Sequence, residues 1–404
     1  MVDALEVYVS ELLRTLTEYP DRHVGGIGNR AATEMFASRM SSLGYEVVRA
    51  KFDCIEWEHG QAALRVAEEV FALQVGPYSL PCDLIAPLVV VDHVEALEAV
   101  DSPGAVLLLH GAITKGQIMP KNFTFYNPET HKRVVRALEA AKPAVVIAAT
   151  GRDSQMVGSQ YPFPLFEDGD LDIPNAYMRD VDGERLLGHA GAMAHVSVDS
   201  RRVPTTAEHV VATLPGDREG RIVLFAHIDS RKDSPGALDN ASGVATLLCV
   251  ARLLADRTNG PALEFVPLNG EDNYANPGEM MWVAENAERS GDIVLGINVD
   301  DAGLMGFGSH VSFYECSPET EALVRGLMSD CECDITKGPQ WIQSDHAIFG
   351  IYGVPAIAVT SAGMLEFMAK YAHSERDTVD LADPAAIAGI SRFLAAVVDR
   401  LSEP

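Results

Sequence analysis

The sequence contains no run of 18 consecutive apolar residues, so no transmembrane helix is expected. It is poor in positive charge. Against 58 Asp and Glu there are only 31 Lys and Arg, which leaves a formal net charge of −27. A field of that sign repels phosphate backbones and anionic lipid, and argues against a nucleic-acid or membrane-surface role. Cysteine is scarce and scattered, at positions 54, 82, 249, 316, 331 and 333. Only Cys331 and Cys333 are close, and C-x-C is not zinc-ribbon spacing. The N-terminal "MVDALEVYVSELLRTL" lacks both a basic stretch and an unbroken apolar core, so it reads as an amphipathic helix rather than a signal peptide. Free thiols in a reducing cytoplasm are the expectation. No internal repeat or low-complexity tract is present.

What is present is a chain of 404 residues, 47% hydrophobic and 22% charged, enough for one large or two moderate domains. Residues 1 to 52 read as two helices and a strand, the second helix stopped by Gly44. Residues 53–203 change character, with short β-rich pieces such as "GAVLLLHGA", one helix in "THKRVVRALEAA", and loops rich in Pro and Gly. From 204 onward strands and helices alternate. "EHVVATLP", "RIVLFAHI", "ALEFVPLNG", "DIVLGINVD" and "VPAIAVTS" are strands. "ASGVATLLCVARLLAD", "PGEMMWVAENAER", "SPETEALVRGLMSD" and "DPAAIAGISRFLAAVVDRLS" are helices, with Ser317 and Asp383 as N-caps. That alternation predicts an α/β fold: a mostly parallel central sheet with helices on both faces, carrying an inserted β-rich domain.

In an open α/β sheet, ligand sites form at the carboxyl ends of the strands. His227 follows "RIVLFA", Asp229 comes two residues on, and Asp239 precedes the next helix. Glu271 and Asp272 follow "ALEFVPLNG", and Asp300 and Asp301 follow "DIVLGINV". His373 lies beyond "VPAIAVTS" in "YAHSERDTVD". Each has a plain explanation alone: a hydrogen-bonded histidine, a helix cap, a solvated acidic pair, a loop start. Together they are harder to dismiss. Carboxylates converging on one rim repel one another, and divalent cations remove that cost. Two histidines with several carboxylates suit zinc, with manganese or cobalt as substitutes.

These residues resemble the zinc aminopeptidases of metallopeptidase family 28. Relatives there include bacterial leucyl aminopeptidases, glutamate carboxypeptidase II and glutaminyl cyclase. The family order H-x-D, bridging D, E-E, D, H is met by "HID", "GALDNASG", "GED", "NVDD" and "HSERDTVD". "SDHAIFGIYGVPAIAV" is similar to a further family segment. The resemblance covers 1–52 and 204–404. It implies that Asp239 bridges two metals, that His227 and Asp300 complete one position, and that Asp272 and His373 complete the other. Glu271 is then the general base. Asp229 and Asp377 are expected to orient the two histidines through their second ring nitrogens. Where the family has glutamate this chain has the shorter Asp272. Tyr274, Tyr352 and Tyr371 are oxyanion candidates, and Ser344, Asp345 and His346 are further substrate or oxyanion candidates. The segment "DIPNAYMRDVDGERLL" makes 53–203 similar to a protease-associated domain, expected to act as a lid that supplies no ligand.

The implied activity is a dinuclear zinc hydrolase, an aminopeptidase on small peptides or amino-acid amides. A non-peptide amidohydrolase or a glutaminyl-cyclase-like acyltransferase keeps the same site with another substrate. A non-catalytic scaffold is the third reading, and it sits badly with a complete ligand set. Oligomeric state is not legible.

Overall fold

Arg221–His227, Ala262–Leu268, Ile293–Val299 and Ala356–Ser361 are nearly continuous apolar runs, the pattern of strands covered on both faces. In the computed structural model, which describes residues 3–123, 127–150, 166, 169–272, 277–341 and 343–403, they form the parallel centre of a sheet. The chain divides into two compact units, residues 1–54 with 206–404, and residues 55–205.

In the first unit the order across the sheet is Ala262–Leu268, Arg221–His227, Ile293–Val299, Ala356–Ser361. The end of Met193–Leu214 pairs antiparallel with Ala262–Leu268 at one edge. At the other, Ser309–Tyr314 pairs antiparallel with Ala356–Ser361, and the short strand Ile335–Lys337 lies outside it. These last two strands were not expected from the sequence. Alternate residues of the central strand face opposite ways. Ile222, Leu224 and Ala226 enter the main core with helices Ala4–Glu18, Gly243–Leu253 and Pro384–Leu401. Phe225 points the other way, its ring 4.5 Å from Phe349 and 4.8 Å from Trp282, centre to centre. Gly296 permits that packing, because a Cβ there would stand 2.5 Å from the Phe349 ring. Ser317 and Asp383 accept the first-turn amides of their helices, as the sequence predicts. The register sets Leu268 opposite His227 and Val299 opposite Val359, so the carboxyl ends of the parallel strands meet at one rim.

The second unit is less purely β than the sequence implies. Cys82–Val91, Val106–Leu109, Val145–Thr150 and Asn175–Arg179 run parallel. Helices Val94–Ala99 and Glu129–Ala141 cover one face, and Asp180–Leu187 covers the other. Two of these three helices are short, and their apolar stripes are too brief to register as periodicity. Among the described residues, no helix is long and apolar enough to cross a membrane.

His209, in the first unit, is buried with no hydrogen-bond partner on either ring nitrogen. Burial pushes it down to about 4 from the usual 6.5. The unfolded chain therefore takes up a proton first as pH falls. Stability is whole above about 6.5 and is lost between there and about 4. His209→Leu should accordingly flatten the acid limb. Urea unfolding at pH 7 and pH 5 should show wild type losing about 2 kcal/mol more than the variant. Parallel losses would rule His209 out as the cause.

Candidate metal centre

The rim gathers its side chains from four strand ends. His227 is the last residue of Arg221–His227. Its Nε2 lies 3.1 Å from Asp239 Oδ1 and 3.3 Å from Asp300 Oδ1. His373 Nε2 lies 3.0 Å from Asp239 Oδ2 and 3.1 Å from Asp272 Oδ1. Asp239 thus turns one oxygen to each imidazole, and each imidazole has a second carboxylate of its own. Glu271 stands apart. Its Oε2 is 3.9 Å from His227 Nε2, and its side chain is 21% exposed against 3% for Asp272.

The electrostatics of the rim call for cations. Burial pulls His227 down, but Asp300, Asp239 and Glu271 together hold it well above an ordinary imidazole. His373 behaves the same way, opposed by burial and driven up to about 10 by Asp272 and Asp239. Burial also raises Glu271 well above the carboxylate range, with Asp272, Asp300 and Asp239 adding to it and His227 opposing. Asp239 is held far below that range by the two histidines against its own burial. Protons on imidazole here occupy the place that divalent ions would take, and binding such ions releases them. A second observation agrees. His227 Nε2, Asp272 Oδ2 and Asp300 Oδ1 are shielded from solvent, yet none makes an aligned hydrogen bond. Buried polar atoms are rarely left so. One imidazole and two carboxylate oxygens at each position match the nitrogen and oxygen donors that zinc accepts.

Supporting contacts fix the rim. Asp377 accepts the amides of Leu238 and Asp239 at 2.9 and 3.1 Å, and so holds the bridging loop. Burial, reinforced by Asp239, lifts it to about 7. Asp229 accepts the amides of Gly270 and Asp272 at 2.7 and 3.1 Å, and pins the acidic pair. The expectation that Asp229 orients His227 through its carboxylate needs correction. Nδ1 is 3.8 Å from Asp229 Oδ1, while the Asp229 carbonyl lies nearer at 3.3 Å. The loop amides claim the carboxylate instead. Asp377 likewise spends both oxygens on the bridging loop rather than on His373.

Ser344 also departs from expectation. Asn298 donates to its hydroxyl at 2.8 Å, and that hydroxyl donates to Asp300 Oδ2 at 2.7 Å. The relay leaves Asp300 Oδ1 free to face His227, and it commits Ser344 to orienting Asp300. His346 is buried, with Nε2 2.8 Å from the Trp341 carbonyl and its ring against Trp341 and Tyr314. That packing leaves it no open edge for substrate. Asp345 is fully buried with both oxygens unpartnered, and burial with Glu279 and Glu271 keeps it well above the ordinary carboxylate range. Tyr352 and Tyr371 follow short helices at Ala347–Ile351 and Met364–Lys370, and Tyr371 packs on the core beside Phe367. Tyr274 lies outside the described residues.

Residues not singled out from the sequence carry much of the support. Arg22 is buried and donates to the carbonyls of Leu16, Pro235 and Gly236 at 3.0, 2.8 and 2.9 Å. Asn240, next to the bridge, donates to the Val299 carbonyl at 2.9 Å and accepts from the Gly243 amide at 2.9 Å. It ties the bridging loop to the strand that presents Asp300.

Known proteins share this arrangement of chain. A probable leucine aminopeptidase 2 of Aspergillus oryzae is 25% identical over 362 residues, covering 84% of this chain and 68% of its own. Its Aspergillus fumigatus counterpart is 26% identical over 355 residues, with the same coverage of 84% and 68%. Among solved structures, an aminopeptidase from Aneurinibacillus sp. strain AM-1 superposes with a TM-score of 0.79 at 20% identity, over 99% of this chain and 94% of its own. A zinc aminopeptidase from Bacillus subtilis does so with a TM-score of 0.75 at 20% identity, over 99% and 95%. At that identity the structures speak for the fold. Residues 209–398 match the model of peptidase family M28. That segment holds every acid and imidazole of the rim, and through it the chain is similar to peptidase family M28.

Proposed function

We propose that this chain is an aminopeptidase whose site holds two divalent ions, with zinc as the metal. The observation that carries the reading is the division of Asp239, one oxygen 3.1 Å from His227 and the other 3.0 Å from His373. The named activities of the fungal and bacterial relatives support the aminopeptidase assignment. His227, Asp300 and one Asp239 oxygen would hold one ion. Asp272, His373 and the other Asp239 oxygen would hold the second. When bound, such a pair supplies Lewis acidity to a peptide carbonyl and a water that ionises near neutral pH. Glu271, 3.9 Å from His227 and assigned to neither position, would take the proton from the attacking water and pass it to the departing amine. Tyr352 and Tyr371 remain oxyanion candidates. Residues 53–203 are read as a protease-associated-like insertion that contributes none of these ligands, and the free cysteines as a sign of a cytoplasmic protein.

The test joins a count to a substrate choice. Metal-free protein titrated with Zn²⁺ in a calorimeter should bind two ions per chain. It should then cleave aminoacyl anilides and dipeptides while sparing their N-acetylated forms. A stoichiometry of one overturns the two-ion site, and equal turnover of free and blocked substrates overturns the aminopeptidase.

A further inference from the structure

Asp301 follows a proposed ligand directly, and in a continuing strand its side chain would leave by the opposite face. It does not. Its φ is +53°, a left-handed conformation that Asp tolerates better than most residues, and there the alternation breaks. The turn is held in place, because Ser361 donates its hydroxyl and its amide to the Asp301 carbonyl. As a result, carboxylate oxygens of Asp239, Asp300 and Asp301 all lie within 4.8 Å of one another. Asp301 is only 6% exposed, and its Oδ1 is shielded from water with no hydrogen-bond partner. Asp300 Oδ1 is in the same condition. Adjacent residues thus bring dry carboxylate oxygens without hydrogen-bond partners into one cluster. Burying two like charges side by side is expensive, and the imidazole that faces Asp300 is shared with Asp239.

Resting on the two-ion reading above, we infer that Asp301 is an additional carboxylate ligand of the ion held by His227, Asp300 and Asp239. The two positions are then unlike. The His373 side has one imidazole and two carboxylates, and the His227 side has one imidazole and three. Added carboxylate oxygen favours harder ions, so the His227 position would accept Mn²⁺ more readily than its neighbour does. Binding at that position sets the test apart from catalysis.

Metal-free full-length wild type and Asp301→Asn should be titrated separately with Zn²⁺ and Mn²⁺, in competition with a chromophoric chelator. Asparagine suits the left-handed backbone as well as aspartate, so the turn is preserved. Both proteins should still bind two Zn²⁺. In the variant one of the two steps should weaken by more than the about 10–100-fold that loss of a group hydrogen-bonded to a ligand costs, with Mn²⁺ losing more than Zn²⁺ and the other step unmoved. Melting in excess chelator supplies the control. Removing an uncompensated buried charge should leave the metal-free melting temperature equal or higher, while the rise on adding metal shrinks. Unchanged affinities, or equal losses at both steps and for both metals, overturn the assignment. A lower metal-free melting temperature with intact affinities also overturns it, because Asp301 would then serve the fold. A wild type that binds a single Zn²⁺ would defeat the two-ion reading, and that result is visible before any variant is made.

Discussion

Glu271→Gln should leave the metal content unchanged and lower kcat by about 10²–10⁴-fold, the usual contribution of a general base. The neighbouring acids of "GED" differ in placement although they differ little in sequence. Asp272 Oδ1 reaches to 3.1 Å from His373, is buried, and has its amide held by Asp229. Glu271 is the more exposed of the two and approaches no imidazole closer than 3.9 Å. It keeps its carboxylate available for a proton instead of a metal. Burial and the acids around it push its pKa up in the metal-free chain. Cations bound to those acids cancel their repulsion, which brings Glu271 back toward the range in which a base works at neutral pH. Glutamine preserves size and hydrogen-bonding shape but cannot accept the proton. KM should move little, because the carboxylate acts chiefly in the transition state. Elemental analysis and steady-state kinetics on one preparation decide the matter. Full activity, or loss of metal, would mean that the roles of residues 271 and 272 are exchanged.

The candidate ligands were legible in the sequence because each lies beyond an apolar run that had to be a buried parallel strand, and such strands end at one rim. His227, Asp239, Asp272, Asp300 and His373 needed no contact information to be grouped. Their supports did. Arg22 binds carbonyls of Pro235 and Gly236, more than 200 residues away in the chain, and no local pattern announces such a partner. Asp301 was visible only as the second acid of "NVDD", and alternation would have sent it to the other face. The left-handed turn that brings it back depends on Ser361. Ser344 was read as a substrate residue because it belongs to a family-like segment. Segment resemblance places a residue near a site without saying which way its hydroxyl donates. The strand Ser309–Tyr314 was missed for another reason. Its "SHVSFY" is short, and polar at alternate positions, as an outer antiparallel strand is permitted to be.

Asp239→Asn should remove metal where Glu271→Gln does not. The bridging carboxylate shares one negative charge between two positions, with one oxygen turned to each imidazole. An amide offers one oxygen, carries no charge, and turns an NH₂ donor toward the other position. Both binding steps should therefore weaken, each by more than the about 10–100-fold expected for an outer-shell partner. Metal-linked stabilisation follows the same logic. An ion at a hundred times its dissociation constant stabilises the fold by about 2.7 kcal/mol, and a variant that no longer saturates forfeits that rise in melting temperature. The local backbone should survive, since Asp377 contacts the amides of Leu238 and Asp239 and not the altered side chain. In the metal-free variant, His227 and His373 lose a counter-charge that both share, so their pKa values should fall relative to wild type. Proton resonances of the two imidazoles, followed through a pH titration in chelator, report that shift independently of metal. If Asp239→Asn keeps two tightly bound ions and its imidazoles titrate as before, Asp239 is not the bridge, and the pairing of ligands around it must be redrawn.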